Sequence, residues 1–254
     1  MRVVLTRPAP EAQRWGRALA ARGHEVLVFP LIDIGPAPDA QALQQAWSSL
    51  PGCQAAMFVS GNAVQGLFAA AAGQEWPAAA RAWSPGPGTS QALAAAGVPA
   101  PQIDAPPADA AQFDSEALWP VIAPQVRAGI RVLLVRGAGA DGRPAGRDWL
   151  AQQLEQAGAR VAMVAAYARR RPDPGPDALA QAQRAASDGS VWLFSSSEAI
   201  ANLRRLLPQQ DWAQAQAIAT HERIAQAARA AGFGSVRSSR PAEADVLAAL
   251  ESPR

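Results

Sequence analysis

The sequence predicts an α/β protein built from two similar halves, each organised around a parallel sheet, and three observations lead there. The first is the order of patterns at the start of the chain. "RVVLTRP" (2–8) is a short β-branched apolar run that stops at a proline. "EAQRWGRALAARGHEV" follows, with Trp15, Leu19 and Ala20 at helical spacing before Gly23, and "EVLVFPLIDI" (25–34) reads as a second strand. A strand, a helix and a strand in that order make a parallel pair with a crossover. The second observation is that the order returns: "RVLLVRG" (131–137), a helix through "GRDWLAQQLEQAG" (146–158), then "ARVAMVAAYARR" (159–170). The third is that separate landmarks keep nearly one offset. Arg2 maps on Arg131 at 129 residues, Gly23 on Gly158 at 135, "FVSGNAV" (58–64) on "FSSSEAI" (194–200) at 136, and "TSQALAAAGV" (89–98) on "IAQAARAAGF" (224–233) at 135. A chance echo of one unit would not hold four landmarks in register. The drift places an insertion in "GAGADGRPAG" (137–146), and the chain reads as an internal duplication.

Two extended, proline-rich segments, "FPLIDIGPAPD" (29–39) and "AYARRRPDPGPD" (166–177), fall at the same place in each repeat. They read as a pair of linkers. The expected division is a discontinuous α/β domain from 1–35 plus 169–254 and a second α/β domain from 36–168, with an interdomain cleft as the place for a ligand.

Composition bounds the function. The 254 residues suffice for one large domain or two of ordinary size. All 23 basic residues are arginine, which with the abundant alanine reads as a GC-rich coding bias. Net charge is only +2 despite a pI near 9.4, so no broad nucleic-acid-binding field is expected and any anion site must be local. Cys53 is the one cysteine, which excludes an internal disulfide and a multi-cysteine metal cluster and fits a reducing compartment. No apolar run reaches the roughly 18 residues of a membrane span, and the chain opens directly on a strand pattern, so a soluble cytoplasmic protein is expected. The eight tryptophans lie on helical patterns or beside apolar strands and read as packing residues.

The ordered set "LTRP" (5–8), "FPLIDI" (29–34), "FVSGNAV" (58–64), "GPGT" (86–89), "FDSEALW" (113–119), "VLLVRG" (132–137), "VAAYARR" (164–170) and "LFSSSEAI" (193–200) resembles the uroporphyrinogen-III synthase family over nearly the whole chain. The resemblance implies two similar parallel-sheet, flavodoxin-like domains joined by a two-stranded β-ladder linker, with the active site in the interdomain cleft. It implies a cofactor-free, metal-free lyase of haem and other tetrapyrrole biosynthesis. That enzyme cyclises hydroxymethylbilane to uroporphyrinogen III with inversion of ring D. It also implies a cytoplasmic monomer, and hand-over of substrate from hydroxymethylbilane synthase.

Such a substrate carries an acetate and a propionate on every pyrrole, so its site needs many hydrogen-bond donors. Strand-to-helix turns supply them through free backbone N–H groups and the positive helix end. Ser60, Asn62, Gly86 to Thr89 (with Gly88 and Thr89 as the donors of interest), Ser195 and Ser196 fall at such turns; each also reads as a plain helix cap. Arg7 and Arg136 end the first strand of each repeat and are candidates for substrate carboxylates. Tyr167, the only tyrosine, falls where the resemblance places a tyrosine that helps the substrate hydroxyl depart. The run Arg169 to Arg171 behind it reads as a solvated linker. The second half departs from the family pattern where a Gly-Pro-x-Thr turn belongs: "HERI" (221–224) stands there, leaving Thr220 and His221 as the candidate replacements. With two histidines and one cysteine, a Cys-His or Ser-His pair has little support. Two alternatives stand beside the synthase reading. One is a two-lobed small-molecule binding protein without catalysis. The other is a nucleotide-dependent enzyme, against which "TRPAPEAQ" after the first strand is no G-x-G-x-x-G and no G-x-x-x-x-G-K-[ST] occurs.

Overall fold

The computed structural model describes residues 1–139 and 141–251. The chain runs β1 (Arg2–Leu5), α1 (Ala9–Ala20), β2 (Glu25–Val28), β3 (Asp33–Gly35), α2 (Ala40–Ser49), β4 (Ala55–Phe58), α3 (Gly61–Ala69), β5 (Arg81–Trp83), α4 (Pro87–Ala95), β6 (Ile103–Asp104) and α5 (Ser115–Ile122). It continues through β7 (Arg131–Ala138), α6 (Trp149–Gln156), β8 (Arg160–Arg170), α7 (Pro176–Ala185), β9 (Val191–Phe194), α8 (Ser197–Leu206), β10 (Gln216–Ala219), α9 (Glu222–Ala230), β11 (Ser235–Ser238) and α10 (Glu243–Glu251). These elements form two compact units, Met1–Asp33 with Arg170–Arg254, and Ile34–Arg169.

The unit made of two segments holds a parallel sheet in the order β11-β10-β9-β1-β2. Its central strands are apolar over Val3–Leu5, Val191–Phe194 and Ala217–Ala219 because both faces are covered. Val3, Leu5, Leu193 and Ile218 meet Trp15 and Leu19 of α1 and Val246 and Leu250 of α10. On the opposite face Trp192 stands edge-on to Phe29, Trp212 and Phe233, and its indole N–H donates to the Ala185 carbonyl at 3.1 Å. Numbered within the unit, the strand order is 2-1-3-4-5, the doubly wound order of flavodoxin-type sheets.

The continuous unit holds a six-stranded sheet, β3-β8-β7-β4-β5-β6, whose strands β4 to β8 are parallel. Ala56, Phe58, Leu133, Val135 and Val164 pack under Leu43, Trp47, Val64, Leu67 and Leu93. Met57, Trp83, Val132 and Leu134 pack under Leu118, Ile122, Leu150 and Leu154 on the other face. Its core order β8-β7-β4-β5-β6 has the same plan as β2-β1-β9-β10-β11. A β-α-β pair stands at one side of three successive strands, but here the pair comes last in the chain. Six of the tryptophans, 15, 47, 76, 83, 192 and 212, are buried in these cores.

Two boundaries differ from the sequence reading. The stretch expected as one strand at 25–34 is split into β2 and β3, because Pro30 lacks the N–H that a ladder needs; Phe29 and Leu31 on either side donate to Leu5 and Thr6. The helix expected from 146 begins only at Trp149. The segment before it folds back on β7, with Gly139 N–H donating to Arg143 and Ala145 N–H to Gly137, both at 2.9 Å. Among the described residues no helix is long and apolar enough to cross a membrane.

Candidate active site

In a parallel sheet all strands end at one edge, so the turns that follow them gather there. In the continuous unit this edge carries Ser60 after β4, the Ser84–Thr89 turn after β5, Arg136 in β7 and Tyr167 in β8. Tyr167 is buried, and its phenol oxygen lies 3.2 Å from Ser60 Oγ. Ser60 caps α3, its Oγ accepting the Ala63 N–H at 3.3 Å, so one serine fixes both the helix start and the phenol. Two glycines make room. The register shift between Arg136 and Gly137 puts Gly137 opposite Tyr167, where a Cβ would stand 2.8 Å from the ring. A Cβ on Gly66 of α3 would collide with the Ala166 carbonyl. The ring therefore lies on bare backbone, with α3 pressed against its strand.

The other candidates of this unit are held in different ways. Asn62 is half-buried in the first turn of α3. At α4 Gly88 is exposed and Thr89 buried, while Gly86 is packed against Phe113. Ser84, which sequence reading passed over, is fully buried and organises this turn: its Oγ donates to Gly86 O at 2.8 Å and accepts from Ser90 Oγ at 2.9 Å. Arg136 is buried, with Nη1 on Asp148 at 2.9 Å and Nη2 on the Arg147 carbonyl at 3.1 Å, both supplied by the segment that folds back on β7.

In the two-segment unit, Arg7 follows β1 and is buried over the Trp15 ring at 4.3 Å, with Nη1 on Glu11 at 2.6 Å. Burial pulls its pKa below the ordinary guanidinium value, and the Glu11 carboxylate opposes that pull. Its Nε and Nη2 are buried without a hydrogen-bond partner. Ser195 and Ser196 are half-buried after β9, and Ser196 caps α8 by accepting the Glu198 N–H at 3.2 Å. His221 caps α9, its Nδ1 accepting the Arg223 N–H at 3.1 Å, beside buried Thr220. The departure from the Gly-Pro-x-Thr pattern thus puts a capping imidazole where the continuous unit has the uncapped Gly86, and Ile224 where it has Thr89.

Comparison with known proteins settles the family. The family model described as uroporphyrinogen-III synthase HemD matches residues 13–248. The chain belongs to the uroporphyrinogen-III synthase family. A uroporphyrinogen-III synthase of Synechococcus elongatus is 30% identical over 221 residues, covering 83% of this chain and 77% of that protein. The fold is shared with the uroporphyrinogen-III synthase of Thermus thermophilus, in the crystal structure of a mutant: TM-score 0.57, 17% identity, 99% of this chain and 97% of that one. It is shared also with that of Helicobacter pylori: TM-score 0.53, 17% identity, 98% and 99%. As a member of this family the chain is an enzyme of tetrapyrrole biosynthesis, and the reading as a binding module without chemistry is set aside.

Proposed function

We propose that this protein converts hydroxymethylbilane to uroporphyrinogen III, with Tyr167 as the residue that assists departure of the substrate hydroxyl. The observation that carries the assignment of Tyr167 is its phenol, buried at the carboxyl edge of a parallel sheet and held by Ser60 at 3.2 Å. A hydroxyl has one proton to give and two lone pairs. Either hydroxyl can donate in the Ser60–Tyr167 contact. In the reacting complex Ser60, whose Oγ already accepts the Ala63 N–H, donates to the phenol oxygen, and the phenol O–H points at the leaving oxygen. Loss of water from the terminal hydroxymethyl group gives an electrophilic azafulvene, most of the push coming from the pyrrole nitrogen. The substituted carbon of ring D attacks it, forming a carbon–carbon bond and a spiro intermediate. The older ring-D linkage then breaks, giving a second azafulvene on the adjoining ring, and recloses at the free α-carbon on the other side of the ring-D nitrogen, which loses its proton and leaves ring D inverted. The protein's larger task is restraint of the chain so that the substituted carbon is the one in reach.

The acetates and propionates are received by the donors of the strand-end turns: Ser60, Asn62, Gly88, Thr89 and Arg136 on one sheet, and Arg7, Ser195, Ser196 and His221 on the other. Arg7 is the strongest of the two arginines in this role, because its unpartnered Nε and Nη2 form the side-on fork that a carboxylate takes. We take the two units to be domains of a duplicated chain, acting as a cytoplasmic monomer that receives its substrate from hydroxymethylbilane synthase. The test is direct: incubate the purified protein with enzymatically generated hydroxymethylbilane, oxidise the products and separate the isomers. Isomer III above the spontaneous isomer I background is expected, and isomer I alone would sink the assignment.

A further inference from the structure

Arg136 reaches the carboxyl edge of its sheet with a carboxylate already on it. Its side chain is 4% exposed, yet that of its partner Asp148 is 60% exposed and spends one oxygen on Nη1, at 2.9 Å. Arg136 Nε is buried without a hydrogen-bond partner. A buried guanidinium is thus covered by a single-point contact from a carboxylate that water still reaches, whereas a planar fork holds a carboxylate best through two parallel bonds.

Asp148 gives something up for this contact. It stands at the N-cap of α6, and no side chain caps that helix. Two other aspartates at helix starts of the same unit do cap. Asp39 Oδ1 accepts the Ala42 N–H at 2.8 Å and Asp114 Oδ1 the Ala117 N–H at 2.9 Å, each from extended backbone with ψ 98° and −174°. Asp148 has ψ 3°, a conformation in which its carboxylate meets Arg136 and leaves the Ala151 N–H uncapped. The segment before it is anchored on β7 as far as Ala145, whose carbonyl accepts from Arg169 Nη2 at 3.4 Å as that side chain crosses over Gly137. Between this anchor and Asp148 lie only Arg147 and Gly146, the latter at φ +142°, a backbone region open to glycine.

We propose that Asp148 is a built-in stand-in for a substrate carboxylate: it closes the Arg136 site in the free enzyme, and turns to cap α6 when a carboxylate arm of the linear tetrapyrrole takes its place. The inference rests on the synthase reading. One carboxylate is exchanged for another, so Arg136 is never left buried and unpaired, and α6 gains the cap it lacks. The two strand-end arginines then differ in kind. Arg7 offers an open fork, since Glu11 takes only Nη1, while Arg136 is latched.

The probe is the linear tetrapyrrole with methyl in place of its hydroxymethyl group, which has no hydroxyl to lose and binds without turnover. In the wild type the Ala151 N–H should exchange roughly 3- to 10-fold more slowly with the probe bound, because the cap has formed. In Asp148→Ala, which has no cap to give, the probe should change that rate by less than about twofold. Asp148→Ala should also bind the probe roughly 3- to 10-fold more tightly than wild type, since a charge-assisted contact no longer has to be broken and outweighs the cap that the wild type gains. In an Arg136→Gln background the same change should leave Kd within about twofold, whereas simple loss of a repelling charge would act in both backgrounds. No slowing in the wild type, equal slowing in Asp148→Ala, unchanged or weaker binding by that variant, or an equal gain in both backgrounds would each overturn the inference. The exchange measurement on the wild type decides even where Arg136→Gln does not fold. A wild type that neither binds the probe nor makes isomer III would instead overturn the synthase reading.

Discussion

At Gly137 the lack of one methyl group decides what can lie across β7, and two side chains use the space. The sequence around it carries no signal of this, because the requirement comes from the register shift that sets Gly137 opposite Tyr167 rather than from a turn. Tyr167 itself was legible as the one tyrosine of the chain, at a strand end that matches the family pattern. The place of Arg169 in β8 was not, since three arginines before a proline have the composition of a solvated linker. Arg7 and Arg136 were legible as strand-end cations but not as buried ones, since Trp15, Glu11 and Asp148 come to them through tertiary folding. The residue to test first is the phenol. Tyr167→Phe keeps the ring on Gly137 and loses only the hydroxyl with its contact to Ser60, so its thermal midpoint should stay within a few degrees of wild type. Single-turnover conversion at saturating enzyme should fall roughly 10-fold or more, about 1.4 kcal/mol of transition-state stabilisation. A Phe variant as fast as the wild type in that measurement would make Tyr167 a packing residue. Isomer I in the steady-state assay would be no guide, because any free linear substrate forms it.

Among the elements, α3 carries a tight requirement. Ser60 caps it, Ala63, Val64 and Leu67 bury its inner face, and Gly66 lets it close on the backbone of β8 at the residue before Tyr167. The apolar positions and the serine cap are visible in "FVSGNAV", so the helix was legible. The glycine was not, because a helical glycine signals close approach only when the neighbour is known. Gly66→Ala raises intrinsic helix propensity by about 1 kcal/mol and yet should destabilise the protein. The new Cβ meets a main-chain carbonyl, which cannot rotate away as a side chain can, and such overpacking costs typically 1–3 kcal/mol. The expected result is a lower thermal midpoint together with reduced turnover, as the tyrosine strand is pushed from its seat. An unchanged midpoint would mean that α3 slides freely on β8. The segment between β7 and α6 was legible as an insertion from the drift in offset, but not its course: it returns along β7 and brings Asp148 and the Arg147 carbonyl to Arg136.

For the whole molecule, chain order and spatial order disagree, and this was legible only as a repeat with two equivalent linkers. The residues 34–169 contain every strand from β4 to β8, both faces of their sheet and the helices that cover them. Excised, this block should melt cooperatively on its own. The halves 1–128 and 129–254 should each fail to do so, because the first lacks β7 and β8 from one sheet and the second lacks β1 from the centre of the other. Cooperative melting of both halves would refute this division. The same interleaving sets a timetable during synthesis. The Thr6 hydroxyl donates to the Leu193 carbonyl, and the two residues are 187 positions apart. At 5–20 residues per second the ribosome needs roughly 10–40 s to deliver the partner strand. Throughout that interval Val3, Val4 and Leu5, all fully buried in the finished protein, have β2 on one side and lack β9 on the other. The continuous block can close while they wait, so the nascent N-terminus is a segment for chaperones to hold until the last third of the chain emerges.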